Sequence, residues 1–167
     1  AKIAPPYAPM EARLVHELPQ GPGWQYEPKW DGFRCLVFRT QRSVELQSKS
    51  GQSLTRYFPE VAEAVLSVPA RAFVLDAEIV IPVDGQLSFD DLLQRIHPAE
   101  SRVRKLSVER PAVLVVFDML ADARGRPLVD RPLRERRRLL EAFAAEELAG
   151  LGGFLLSPAT PDTKAAR

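Results

Sequence analysis

A lysine that is to act as a nucleophile must be presented by its neighbours, and Lys29 stands in a run suited to that task, Glu27-Pro28-Lys29-Trp30-Asp31-Gly32-Phe33-Arg34. Pro28 fixes its own φ and biases Glu27 toward an extended conformation, while Gly32 permits a turn just beyond Asp31. The pattern places Lys29 where a strand ends, able to face a pocket. The same residues also fit an exposed strand lysine beside an Asp31-Gly32 hairpin turn. Three further stretches follow in order: Ser48-Lys49-Ser50-Gly51, Leu75-Asp76-Ala77-Glu78-Ile79 and Phe117-Asp118-Met119-Leu120. On pattern alone Glu78, with Asp76 on its face, fits a solvent-facing strand position, and Phe117 fits a core residue. His16 and His97 have no partner at ligand spacing and read as structural, so no dedicated metal cage is visible.

The elements that must position these residues are short, because fifteen prolines punctuate the 167-residue chain and argue against a helical bundle. Residues 1–9 read as an extended lead-in and Glu11 to Leu18 as a short helical turn. Trp24 to Lys29, Phe33 to Thr40 and Ser43 to Ser48 read as strands of an antiparallel meander. Pro59 opens a helix with Val61, Ala62, Val65 and Leu66 on one face, and Phe73 to Pro82 is a strand leading to an Asp84-Gly85 hairpin turn. Ser88 and Asp91 match a capping box for a helix to about Ile96. Ala99 to Pro111 reads as basic and irregular, and Ala112 to Leu120 as a central strand. Asp130 and Pro132 mark the entry to a helix over Leu133 to Leu148, striped by Leu139, Leu140, Phe143 and Leu148. Phe154 to Leu156 begins another strand, and Ser157 to Arg167 reads as a polar tail.

Composition bounds the class. Charged residues are 27% and apolar residues 46% of the chain, ordinary for a globular domain, and no apolar run approaches a membrane span. No secretory signal is visible, which makes the cytoplasm the expected compartment. The lone Cys35 excludes an internal disulfide and reads as a buried strand residue. The net charge of +1 is uneven: Ser101 to Arg138 holds eleven Lys or Arg against five Asp or Glu, a local excess of +6. Arg131, Arg134, Arg136, Arg137 and Arg138 could meet a phosphate backbone, although a solvated helix face is the simpler reading of that run; Arg102, Arg104 and Lys105, in the irregular segment, are equally good candidates for such contacts.

Taken in order, the four motifs resemble the covalent nucleotidyltransferases, and most closely the bacterial ATP-dependent DNA ligases. The resemblance runs from about Pro9 to the end. It includes Gln94-Arg95-Ile96-His97-Pro98-Ala99-Glu100-Ser101-Arg102, which is similar to the small actinobacterial enzymes of the ligase C type. It implies an α+β fold with two antiparallel sheets flanked by short helices and meeting over the nucleotide. It implies that Lys29 carries AMP from ATP as a phosphoramidate, with Glu27 on the adenine side, Arg34 at the ribose and phosphates, and Phe117 stacked on the base. Lys49 stands where the family's pattern has arginine and Ala77 where it has glycine; lysine keeps the charge but loses the planar fork. Glu78 matches the acidic residue that contacts ribose or metal, Mg2+ or Mn2+, which neutralises charge on departing pyrophosphate.

The implied partner is nicked double-stranded DNA, sealed in repair by a monomer. RNA ligase or RNA capping activity uses the same lysine chemistry, and a noncatalytic nucleotide- or DNA-binding piece is a third reading. The resemblance further implies that residues 1–167 are the N-terminal and central part of an adenylation domain, incomplete at its C-terminus. Two later motifs and an OB-fold domain lie outside the chain on this reading, and these residues alone should adenylate poorly and not seal nicks.

Overall fold

A computed structural model describes residues 2–161 as a five-stranded sheet and a two-stranded one, with helices packed about the larger. In chain order the elements are β1 (Phe33–Arg39), β2 (Val44–Ser48), α1 (Pro59–Ser67), β3 (Phe73–Val80), β4 (Pro82–Val83), β5 (Gln86–Leu87), α2 (Phe89–Arg95), α3 (Glu100–Glu109), β6 (Val113–Ala121), α4 (Leu133–Phe143) and β7 (Phe154–Leu156). The large sheet runs β2-β1-β3-β6-β7, antiparallel except that β7 lies parallel to β6. The expected meander is therefore rearranged. β1 sits between β2 and β3, the middle strand is β3, and β6 lies one place further out.

Strand alternation gives the sheet two different faces. One carries Cys35, Val37, Leu75, Ala77, Ile79, Leu114 and Val116 into the main core, where Val61 and Val65 of α1 and Leu140 and Phe143 of α4 cover them. The other carries Leu36, Phe38, Val74 and Leu120 at one end, packed under Ile3 and Tyr7 of the N-terminal lead-in. Gln47 holds that lead-in by a two-way bond: its side-chain oxygen accepts from Tyr7 N and its amide donates to Tyr7 O, both at 2.7 Å. The other end of this second face is polar, and the cleft lies there.

Local chemistry explains most helix and turn boundaries. Asp84 and Gly85 turn the β4–β5 hairpin with φ of 50° and 79°, as a two-residue hairpin loop requires. Ser88 caps α2, its hydroxyl accepting from Asp91 N at 3.3 Å. Arg95, at the end of α2, is fully buried: it pairs with Glu60, donates to Arg110 O at 3.3 Å and lies 4.8 Å from the Phe58 ring. Glu60 also accepts from Ala112 N at 3.0 Å, so one buried arginine staples α1, α2 and the start of β6.

Several expectations need correction. Ala99 to Pro111 is mostly helix: α3 buries only Val103 and Leu106, too narrow a stripe to stand out, and is supported by Glu100–Arg104 and Lys105–Glu109 pairs one turn apart. Glu11 to Leu18 forms no helix, and Trp24 to Lys29 forms only one bridge, at Tyr26. Leu66 is exposed, outside the α1 core face. The last helix covers the expected span, as α-helix to Phe143 and as a π-helical turn from there to Leu148, with Pro132 as its N-cap and no side-chain cap bond. The expected polar tail begins with fully buried Ser157; residues 162–167 of it, like Ala1, lie outside the described residues. Among the described residues no helix is long and apolar enough to cross a membrane.

Candidate active site

Lys29 sits on an irregular segment that is held on both sides of it. Tyr26 N donates to Thr160 O at 2.8 Å, Thr160 N donates back at 3.0 Å, and the Tyr26 hydroxyl donates to Pro19 O at 2.6 Å. On the other side, the Trp30 indole donates to the Ser157 hydroxyl at 2.8 Å. Gly32 then presses on β3: a Cβ built there would lie 2.2 Å from Ile79 O. Its φ is not in the left-handed region. The glycine is thus required by close approach to a neighbouring strand, and not by the turn that the sequence suggested.

Arg34 and Glu78 are cross-strand partners on β1 and β3. The Arg34 guanidinium grips Asp76 with two bonds, 2.6 and 2.5 Å, donates to Met10 O at 2.8 Å, and lies 5.3 Å from the centre of the Phe117 ring. Asp76 faces Asp118 directly across the strands, and each acid is taken by its own arginine, since Arg136 grips Asp118 at 3.0 and 3.1 Å. Pairing then slips by one residue: Asp76 opposes Asp118 but Ala77 opposes Val116, leaving Phe117 as the extra residue of a bulge. A bulge re-aims a side chain, and Phe117 lines the cleft as a half-buried residue between buried neighbours on its strand.

The remaining wall is the turn after β2, which carries exposed Lys49. Glu27, Lys29, Arg34, Lys49, Glu78 and Phe117, the six residues selected from sequence, all line one open cleft of about 1200 Å³. Burial raises the Glu78 carboxyl to about 7, with Arg34 partly offsetting this and Asp76 and Asp31 adding to it. Burial also raises Glu27, opposed by a hydrogen bond from Gln25 and by the charge of Arg137. Asp76 is raised by burial against the pull of Arg34. Among the described residues no group of three or more His, Cys, Asp or Glu is arranged to hold a metal. The carboxylates that line the cleft are those of Glu11, Glu27, Asp31 and Glu78.

The basic candidates divide. Arg136 and Arg137 are buried and paired, with Asp118 and with Glu141, so neither a DNA-facing nor a solvated position describes them. Arg104 and Lys105 pair within α3, whereas Arg102, Arg131, Arg134 and Arg138 are exposed. His97 accepts from Ala99 N at 3.0 Å, a structural role. The sequence reading missed Ser157 and the Arg136–Asp118 pair. The only signal for the former was a serine ending a short apolar strand, and for the latter an aspartate inside the most apolar strand.

A family model described as the ATP dependent DNA ligase domain matches residues 7–151. The chain belongs to the ATP-dependent DNA ligase family. Among its relatives, the ligase C2 of Mycolicibacterium smegmatis is 45% identical over 170 residues, covering 99% of this chain and 45% of that protein. DNA ligase C of Mycobacterium tuberculosis is 41% identical over 169 residues, 99% of this chain and 46% of that protein. A solved mycobacterial DNA ligase D, complexed with ATP and MES, superposes with a TM-score of 0.67 at 26% identity, over 86% of this chain and 42% of that one. This ligase-family chain thus spans less than half the length of the relatives it matches. Its mixed α+β sheet architecture agrees with theirs, and the resemblance drawn from the motifs, including the ligase C type, holds.

Proposed function

We propose that this chain provides the N-terminal and central part of an adenylation domain in which Lys29 takes AMP from ATP, and that the whole protein passes that AMP to a 5′-phosphate and seals nicked DNA in repair. The observation that carries this reading is the convergence of Lys29, Glu27, Arg34, Lys49, Glu78 and Phe117 on one cleft in a chain of the DNA ligase family. In the first step the neutral Lys29 amine attacks the α-phosphorus. A P–N bond forms, the P–O bond to the β-phosphate breaks, pyrophosphate leaves in line, and the amine loses a proton.

Each neighbour has a physical task in that step. Phe117 offers a ring face to the adenine, and Glu27, close to the Lys29 segment, offers a carboxylate to its amino group. Arg34, already fixed by Asp76 and Met10, presents its remaining donor edge toward ribose and phosphate. Lys49 supplies charge at the phosphates without a bidentate grip. A magnesium ion held through Glu78 would neutralise the charge that develops on departing pyrophosphate.

The test is incubation of the complete protein carrying this sequence with α-labelled ATP and magnesium. Label should remain on the denatured protein, map to Lys29, and disappear in Lys29→Ala. Label that persists in that variant would remove the assignment.

A further inference from the structure

We propose that Ser157 is a positioning residue for Lys29, acting through the Trp30 indole to hold the nucleophile's segment in line with the strand that bears Phe117; this rests on the proposed role of Lys29. Ser157 is fully buried and does not line the cleft, so it has no path to the nucleotide except through its partners. Its hydroxyl accepts from Trp30 Nε1 at 2.8 Å, one residue after Lys29, and its backbone N–H donates to Val116 O at 2.8 Å, one residue before Phe117. One residue therefore bridges the segment of the attacking amine and the strand of the proposed base platform.

The bridge is reinforced along the same stretch. β7 pairs Leu114, Val115 and Val116 with Phe154, Leu155 and Leu156, and three residues after Ser157 the Thr160 backbone exchanges two hydrogen bonds with Tyr26. Lys29 lies between these two attachment points, on a segment with no ladder of its own. A segment without a ladder has only such bonds to fix it, and in-line attack is sensitive to displacements near 1 Å. A buried hydroxyl aimed at an indole N–H is a restraint of the right strength, because removing it leaves a donor unpaired.

The experiment measures the single-turnover rate of Lys29 adenylation against ATP concentration in the complete protein. Ser157→Ala should lower the maximal rate by about 10- to 100-fold with the half-saturating ATP concentration unchanged. Trp30→Phe, which keeps an aromatic ring but removes the pyrrole portion with its N–H, should lose at least as much, and adding Ser157→Ala to it should lose no more. Ser157→Thr, which restores the hydroxyl, should recover most of the rate. Full-rate adenylation in both Ser157→Ala and Trp30→Phe would overturn the proposal while leaving Lys29 as nucleophile. So would additive losses, or a loss of ATP affinity equal to the loss of rate, which mark general loosening. If Ser157→Ala does not fold, Trp30→Phe with Ser157→Thr decides the matter. A wild-type protein that takes no AMP on Lys29 would remove the functional reading, and this one with it.

Discussion

Gly32→Ala tests whether the segment that bears Lys29 is packed as closely against β3 as the structure has it. The added methyl would stand 2.2 Å from Ile79 O, 2.9 Å from Val80 Cγ1 and 3.0 Å from Glu78 Cγ. An ordinary carbon–oxygen approach is about 3.3–3.6 Å, so the segment or the strand must move by roughly 1 Å. The first obstacle is a backbone carbonyl in a strand paired on both sides, which cannot swing aside as a side chain would. The cost should lie at the upper end of the overpacking range, about 3 kcal/mol. For a domain of this size that is a fall in unfolding midpoint of about 6–12 °C, with a further loss of about 100-fold in adenylation rate if the displacement reaches Lys29. Thermal unfolding followed by circular dichroism, beside the labelling assay, reads both effects. A midpoint within about 2 °C of wild type, with undiminished labelling, would show that the approach is looser than described and that the glycine serves another purpose.

Two further outcomes follow from charges near the cleft. Arg136→Ala leaves Asp118 buried and uncompensated, directly opposite Asp76; urea unfolding should show a loss of about 3 kcal/mol, and a change below about 1 kcal/mol would mean that water reaches the pair. Glu78 has its folded pKa raised from 4.5 to about 7, so its contribution to stability is complete below 4.5 and is lost as pH rises through 7. Glu78→Gln should therefore flatten the decline in unfolding midpoint across that interval, leaving a residual slope from Glu27 and Asp76, which are shifted the same way. An unchanged slope would remove Glu78 as its source.

What the sequence revealed and what it withheld divide along physical lines. The candidate site residues were legible through the order of four short motifs and the family those resemble, since alternation alone reads Phe117 as core and Glu78 as an ordinary solvent-facing strand position. Strands β1, β2, β3 and β6 and helices α1 and α2 were legible from alternation, Pro59 and the Ser88 cap. α3 was not, because its stability comes from two exposed ion pairs and a two-residue contact, while Pro98 and Pro111 advertise a loop. Nor were Arg136 and Arg137 legible as buried: their partners are an aspartate eighteen residues away on another element and a glutamate one turn on. The run from Gln94 to Arg102, distinctive enough to mark the ligase C type, contains Arg95, whose work in this structure is to staple helices together. The most identifying peptide is in part a packing device.

The bond between Trp30 and Ser157 spans 127 residues of chain. A ribosome adding about 5–20 residues per second needs roughly 6–25 s to cover that span. Throughout that interval the segment bearing Lys29 has left the ribosome ahead of the residues that fix it. β1, β2 and β3 can meanwhile pair among themselves, since all lie within the first 80 residues. The scaffold of the cleft can therefore fold early, and the Lys29 segment acquires its anchors only when residues 157–160 are made. Assembly in that order lets the reactive geometry form only after its scaffold strands can have paired.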